Sequence, residues 1–510
     1  MVNDMKRLQN IHPTTVLCSL IVVIGILASI CAVFPEEGIV VSDSVTLRFP
    51  SLNEVLNGDS TKNSVEQQLT PEQLLALREQ EMKMQEEQQY IDFFTSNPVR
   101  IHFPSDDFTY LDSVYLSLDS ARRTPVRIVH FGDSQLEDDR ISCNLRLTLQ
   151  EQFGGGGNGL IPLQESLYSQ TINIGSKHTP KRYQIYGPKS NRRDSSSFYG
   201  PMGNVTILDT TMHLAISPKK KNGALTTTHY FNRLRVLSYS GNTIRFSAQG
   251  KLLNITPANT PLQISTIALS DSTTMLSLTL SGDADIYGIM LDSDTGVGVD
   301  NIPMRGCSGT VFTGINPIQL HEYFAQTNTR LIIMQFGGNS MPYLKDQRGI
   351  DRYTEQLRRQ IRHLRLLAPE ARILWVGPSD MTTRINGKLQ TYPLLSAVDA
   401  SICRMVNEEG CAYWSLFESM GGSGSMVRWA NAQPPLAGKD YIHFTRLGAQ
   451  RAGELLTEAF MTGYRYYKFR NPETEVTINA DSIAQSDTIF HADTINSQHC
   501  DTGKVMTNNE

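Results

Sequence analysis

V-R-I-V-H-F-G-D-S-Q, residues 126 to 135, is the stretch from which the fold can be built. Val126 to Phe131 is rich in β-branched and aromatic residues, and the run breaks off at Gly132-Asp133-Ser134. From Asp139 to Phe153 the apolar residues recur at helical spacing. A strand that gives way to a helix through a glycine makes a sharp turn, and such a turn lifts a serine hydroxyl clear of the sheet. Gly-Asp-Ser alone is a common tripeptide. The strand before it and the helix after it are what single out Ser134.

Similar apolar runs follow at 297–302, 331–336, 373–377 and 412–416, with helical spacing at 316–327, 351–367, 393–409 and 446–462. Short, near-continuous apolar strands separated by helices predict a parallel sheet covered on both faces, an α/β fold. Ligands in such sheets bind beyond the carboxyl ends of the strands. Ser134, Asn339 and Asp380 each come just after a strand of this kind, so the architecture brings them to one rim. Between 164 and 295 the pattern changes to Thr, Ser, Asn and Gly, with short runs at 233–239, 243–249, 262–269 and 275–280. Evenly spaced short strands with turn residues between them predict an inserted β-sandwich. Such a module either binds sugar or only shapes the wall of a cleft.

Residues 14 to 34 carry no charge and are long enough to cross a bilayer. Lys6 and Arg7 precede them and Glu36 and Glu37 follow. This predicts a cytoplasmic stub and transmembrane anchor over residues 1–35, with the rest of the chain outside the inner membrane, in the periplasm. Secretion after signal cleavage is the rival, but a signal's apolar region is usually shorter, and no A-x-A site follows here. Residues 36–106 read as a linker and a long polar helix, with Thr70 as cap and Pro71 in the first turn. The α/β domain takes 107–163 and 296–465 around the insertion at 164–295, and 466–510 reads as a polar, disordered tail. A net charge of −5 over 510 residues offers no basic excess for nucleic acid. The seven cysteines include no C-x-x-C pair, which argues against a zinc or thioredoxin-like site. Cys403 and Cys411 are near neighbours in sequence, yet no disulfide pairing follows from that.

A serine needs a base to become a nucleophile, and the base needs a carboxylate to orient it. Asp440-Tyr441-Ile442-His443, just before the last helix, supplies both. The competing role for this pair is to cap the helix that starts near Thr445. Other histidines are poorer bases: His130 lies inside a strand, while His321 and His363 fall on helices that cover the sheet. Gly337-Gly338-Asn339-Ser340 follows a strand, and an asparagine amide there can donate to a developing oxyanion. Arg305-Gly306-Cys307-Ser308-Gly309-Thr310 offers glycine N–H groups for the same purpose. Two glycine-rich stretches are set aside. Residues 154–157 lack the Lys-Ser/Thr of a phosphate loop, and 296–301 lack the third glycine of a dinucleotide site.

These blocks, in this order, resemble the SGNH/GDSL hydrolase family. The resemblance implies a flavodoxin-like three-layer parallel sheet, with Ser134 as nucleophile and Asp440 and His443 as its dyad. It implies an oxyanion hole from the Ser134 and Gly309 N–H groups and the Asn339 amide, with Gly306 a close rival to Gly309. Gln135 departs from the leucine of the family's name. The anchor and the insertion resemble the bacterial envelope branch of peptidoglycan and polysaccharide O-acetylesterases. The implied function is therefore an esterase that removes O-acetyl groups from a cell-envelope glycan through an acyl-enzyme. Transfer of acetyl to a polysaccharide is the first alternative, and a non-catalytic glycan-binding protein the second. No cofactor or metal is expected. The partners implied are an acetylated glycan, the inner membrane and a membrane-bound acyltransferase, with no nucleic acid.

Overall fold

Burial on both faces is what selects the residues of the central sheet. Every residue of the strand Val126–Gly132 is buried, and its side chains divide by parity. Val126 and Ile128 enter one apolar cluster, Val129 and Phe131 the other. The same alternation runs through Leu331 to Met334 and Ile373 to Val376. Each fully buried Val, Ile or Leu contributes about 1.5–3 kcal/mol over its exposed state, so a polar residue at these positions would open the sheet.

The computed structural model describes residues 13–33, 39–42, 45–47, 70–163, 169–176, 179–193, 196–220, 225–270 and 273–472. The chain divides into two units, Met1–Met84 and Gln85–Glu510. In the second, the sheet runs in the order Val297–Pro303, Val126–Gly132, Thr329–Gln335, Arg372–Val376, Ala412–Trp414, Ile101–His102. The first five strands are parallel. The last is antiparallel, and its two residues are too few to leave a sequence signal. Helices Pro317–Gln326, Gln347–Leu367 and Leu395–Glu408 cover one face, and Asp112–Asp119, Ser142–Phe153 and Arg446–Arg470 cover the other. The register places Gly132 opposite both Pro303 and Gln335, and Gln335 opposite Val376. Four strands thus end level, and the segments after them share one rim.

Between Ser142–Phe153 and Val297–Pro303 the chain builds two antiparallel sheets. One runs Gln263–Ala268, Arg233–Tyr239, Ala284–Asp292, Asn204–Leu208, Arg182–Gln184, with Gly159–Ile161 also paired to Ala284–Asp292. The other runs Lys251–Ile255, Ile244–Ala248, Leu276–Ser281, Met212–Pro218, Ile172–Ser176. Leu214, Ile216, Leu234, Val236, Phe246 and Leu278, drawn from both sheets, share one apolar cluster. A buried ionic network joins this body to the central sheet. Arg127 reaches Asp292 at 2.7 Å and Asp300 at 2.9 Å, and Arg235 reaches Asp292 at 2.6 Å. Burial pushes the Asp292 carboxyl up, but Arg127 and Arg235 outweigh it and bring it to about 2.

In the first unit Pro13–Val33 is helical, but its side chains are described only over 20–30. Among the described residues no helix is long and apolar enough to cross a membrane. The crossing helix expected over 14 to 34 is therefore not found among the described residues. The stretch expected to be an unstructured tether carries a short hairpin, Ile39–Ser42 paired with Val45–Leu47. The polar helix is Pro71–Ser96. Thr70 Oγ1 accepts from the Gln73 N–H at 3.2 Å, and Gln73 Oε1 accepts from the Thr70 N–H at 2.9 Å, a reciprocal cap. The tail expected over 466–510 starts later than expected, because residues 466–470 finish the helix Arg446–Arg470 with Tyr466 and Tyr467 buried; residues from 473 onward lie outside the described residues. Cys403 and Cys411 are both free thiols.

Candidate active site

Gly132 is required at the strand exit because a Cβ there would lie 2.6 Å from Leu136 Cδ1. The chain then enters a short 3-10 segment, Ser134–Asp139, in which Asp138 and Asp139 take φ of 65° and 57°. Two consecutive left-handed non-glycine residues are strained, and such strain persists only where the surroundings impose it. Here they do. Arg146 grips the Asp139 carboxylate with both terminal nitrogens, and Arg305 holds both Glu137 oxygens through Nε and Nη2. Thr171 Oγ1 donates to Asp139 at 2.9 Å, and the Gln170 N–H donates to the Asp138 carbonyl at 2.8 Å. This is why the helix begins at Ser142, three residues later than helical spacing alone predicts.

Asp440 and His443 sit on the loop before Arg446–Arg470. Thr445 caps that helix through the Gly448 N–H at 3.2 Å, so the Asp440–His443 pair is not its cap. Asp440 Oδ1 instead accepts the Ile442 and His443 backbone N–H groups, both at 3.1 Å. Its Oδ2 lies 2.7 Å from His443 Nδ1, and His443 Nε2 lies 3.1 Å from Ser134 Oγ. The carboxylate takes the Nδ1 proton's bond, which leaves the Nε2 lone pair facing the serine. Burial pushes the Asp440 carboxyl up, but the hydrogen bonds from His443 and the loop N–H groups prevail and hold it below its usual value.

Ser134, His443 and Asn339 line one cavity of about 230 Å³, walled by Phe336, Pro342, Tyr343, Pro378, Met381 and Ile442. Among the described residues the Ser134 N–H finds no acceptor. Asn339 Nδ2 stands 3.1 Å from Asp133 Oδ2 and 3.2 Å from the Cys307 carbonyl, so in the resting site its amide protons are engaged. One of them must be exchanged to meet an oxyanion. Burial drives the Asp133 carboxyl up to about 6, against the bonds from the Gln135 N–H and Asn339. The glycines expected in the oxyanion hole are not on this cavity. The Gly309 N–H points at Cys307 Sγ, 3.3 Å away, while Gly306 lines a separate cavity of about 460 Å³ beside the two-sheet body. Gly309 is a packing glycine: φ is +81° and a Cβ would meet the Phe336 ring at 2.9 Å.

Asp380 follows its strand but turns away from the rim. It is fully buried, accepting from Thr391 Oγ1 and the Met426 N–H, both at 2.8 Å. His130 is also fully buried, between Gln335 and Ser142, and burial brings its ring down to about 3. His321 bonds the Leu367 carbonyl at 3.0 Å, away from the site. Gln135, noted in the sequence only as a departure from leucine, and Arg140, which the sequence did not single out, tie the halves of the site together. Gln135 Nε2 donates to the Ile442 carbonyl at 2.8 Å. Arg140 donates to the Ser134 carbonyl at 2.7 Å, the Gln135 carbonyl at 3.1 Å and the Phe444 carbonyl at 3.4 Å. Among the described residues no three His, Cys, Asp or Glu side chains are grouped to hold a metal ion.

Residues 271–451 match the GDSL-like lipase/acylhydrolase family. The match takes in Gly309, Asn339, Asp440 and His443, and leaves Ser134 on the far side of the two-sheet body. Comparison with curated protein sequences gives no match. Among solved structures, a peptidoglycan O-acetylesterase is similar at 18% identity and a TM-score of 0.57, over 70% of this chain and 96% of that one. A family two carbohydrate esterase from Clostridium thermocellum is similar at 13% identity and a TM-score of 0.23, over 56% and 97%. A salicylyl-acyltransferase of a tetracycline biosynthetic pathway gives 10% and 0.26, over 49% and 81%.

Proposed function

We propose, from the SGNH/GDSL hydrolase domain that this chain carries, a serine esterase that removes O-acetyl groups from a cell-envelope glycan. The observation that carries the reading is the unbroken relay from Ser134 Oγ through His443 to Asp440, with steps of 3.1 and 2.7 Å. Ser134 Oγ attacks the ester carbonyl and its proton passes to His443 Nε2. The oxyanion is met by the free Ser134 N–H and by Asn339 once its amide exchanges one partner, each such donor being worth roughly 3 kcal/mol to the transition state. His443 then returns the proton to the departing sugar oxygen, which leaves Ser134 acetylated. A water that gives its proton to His443 releases acetate by the reverse sequence.

Hydrolysis is favoured over transfer by the openness of the base. The His443 and Asp440 side chains are 44% and 49% exposed, so the base that would activate a water is open to solvent. The glycan is proposed from the acetylesterase likeness, and the two-sheet body is read as an inserted β-sandwich that widens the cleft wall. We read residues 14 to 34 as a membrane anchor that keeps the enzyme outside the inner membrane. The described part of that helix supports this, with Leu20, Ile21, Val22, Val23, Ile24 and Ile26 all more than half exposed. An alkaline wash of membranes tests it, since a protein released by the wash is not anchored.

The esterase reading is tested with the full chain and Ser134→Ala, each given an O-acetylated glycan with and without an unacetylated acceptor. Free acetate is expected, at a rate about 10⁴-fold or more lower in the variant. Equal rates would remove Ser134 from the mechanism. Acetyl appearing only on the acceptor would replace the esterase with a transferase.

A further inference from the structure

Asn339 and Tyr343 lie on one short 3-10 segment, Gly338–Tyr343, directly after the strand Thr329–Gln335. The segment is anchored at its start and in its middle. Gly337 has a φ of +141° with a Cβ position 3.0 Å from Pro378, and the buried Met341 plugs into the core below. From this fixed base Tyr343 points outward and is 81% exposed, against 41% for Tyr230 and 37% for Tyr239, the other exposed tyrosines among the described residues. Its side chain makes no hydrogen bond or ring contact with any described residue, yet it lines the cavity that holds Ser134. An aromatic ring held in water forgoes about 1.5–3 kcal/mol of burial, and an exposed ring on an anchored segment at the mouth of a cavity is suited to covering an apolar face of a ligand.

We propose that Tyr343 is the stacking platform for the pyranose ring that bears the ester, a specificity-determining subsite at the catalytic cavity. The inference rests on the esterase reading and deepens it by naming what is recognised on the alcohol side. Pro342 and Ile442 continue the apolar wall beside the ring. Among the described residues no Lys or Arg lines the cavity, which suits a neutral sugar ring better than a phosphate or carboxylate. The C–H face of a pyranose is apolar while its rim of hydroxyls stays solvated. A ring laid on Tyr343 is four residues from the oxyanion amide of Asn339, so its acetyl group is carried toward Ser134 by the same segment that stabilises the charge.

The test compares the full chain with Tyr343→Ala and Tyr343→Trp on two esters, ethyl acetate and an O-acetylated chito-oligosaccharide. Tyr343→Ala is expected to raise KM for the oligosaccharide about tenfold, well beyond any rise for ethyl acetate, and Tyr343→Trp is expected to restore the lost affinity. Equal loss on both esters would mean that the ring only supports the fold, and no loss on either would remove the platform. Binding of the oligosaccharide to Ser134→Ala, with and without Tyr343→Ala, separates this inference from the one beneath it. Binding that weakens about tenfold in a protein whose parent hydrolyses neither ester would keep the platform and discard the esterase. Binding that does not weaken would discard the platform whatever the catalysis.

Discussion

Ser134 stands at the end of a strand buried along its whole length, whereas His443 rides on a loop in which it and its carboxylate partner are 44% and 49% exposed. The nucleophile end is over-determined. Arg140, Arg146 and Arg305 hold its turn from three sides, and two aspartates are kept in left-handed conformations there. The base end is held by Asp440, through two backbone N–H groups and the imidazole. Backbone bonds hold it too, such as Gly438 N–H to the His443 carbonyl at 2.8 Å and Thr382 N–H to the Tyr441 carbonyl at 3.0 Å, yet its side chains face solvent. The difference teaches how labour is divided. A buried ion pair fixes where the serine sits, while the base stays open to solvent.

The sharpest way to break this contrast is at Asp440. Asp440→Asn should lower kcat by about 10³-fold by losing control of the imidazole tautomer. It should leave the urea midpoint nearly unchanged, since half-exposed pairs contribute little to folding. A large loss of stability would mean that the base loop is as built-in as the nucleophile turn.

Asp139→Ala probes the other end and should reverse the balance. It leaves the fully buried Arg146 guanidinium without its carboxylate, a change that costs about 3–5 kcal/mol. Urea denaturation measures it. If stability held while kcat fell, the strained turn would be a catalytic device supported by other contacts and not by Arg146.

The same division explains what could be read in the sequence. The parallel strands were legible because burial on both faces demands unbroken apolar runs, and the capped helices announced themselves through Thr70, Pro71 and Thr445. Ser134, Asn339, Asp440 and His443 were legible as residues that follow strands or precede a helix. The nucleophile turn was not. Asp138 and Asp139 look like the start of a helix until Arg146, seven residues on, is seen to hold Asp139. Gln135 and Arg140 carry no local signal either, since their partners Ile442 and Phe444 lie some three hundred residues away. Gly309 misled in the opposite sense: a glycine needed to clear Phe336 looks in sequence like one needed to bind an oxyanion. Asp380 follows a strand as Asn339 does, yet its carboxylate is used to hold the N-terminus of Ser425–Ala430.

The finest test of the contrast is in pH. Burial raises the Asp133 carboxyl to about 6, above the roughly 3.9 of an unfolded aspartate. The folded state therefore holds this proton more tightly than the unfolded one. Asp133 alone makes the protein less stable as pH rises from about 4 to about 6, by up to about 3 kcal/mol, and adds no slope above that. Asp440 has the opposite sign. Its lowered carboxyl lends stability above the unfolded value and loses it as pH falls through the folded one, weakly because the group is half exposed. Stability curves of Asp133→Asn and the parent, measured by urea unfolding at closely spaced pH, should therefore diverge between pH 4 and 6 in favour of the variant. Those of Asp440→Asn should stay nearly parallel to the parent over that range and separate slightly only in stronger acid. Parallel curves for Asp133→Asn would mean that water reaches Asp133, and that the nucleophile end is less enclosed than its geometry requires.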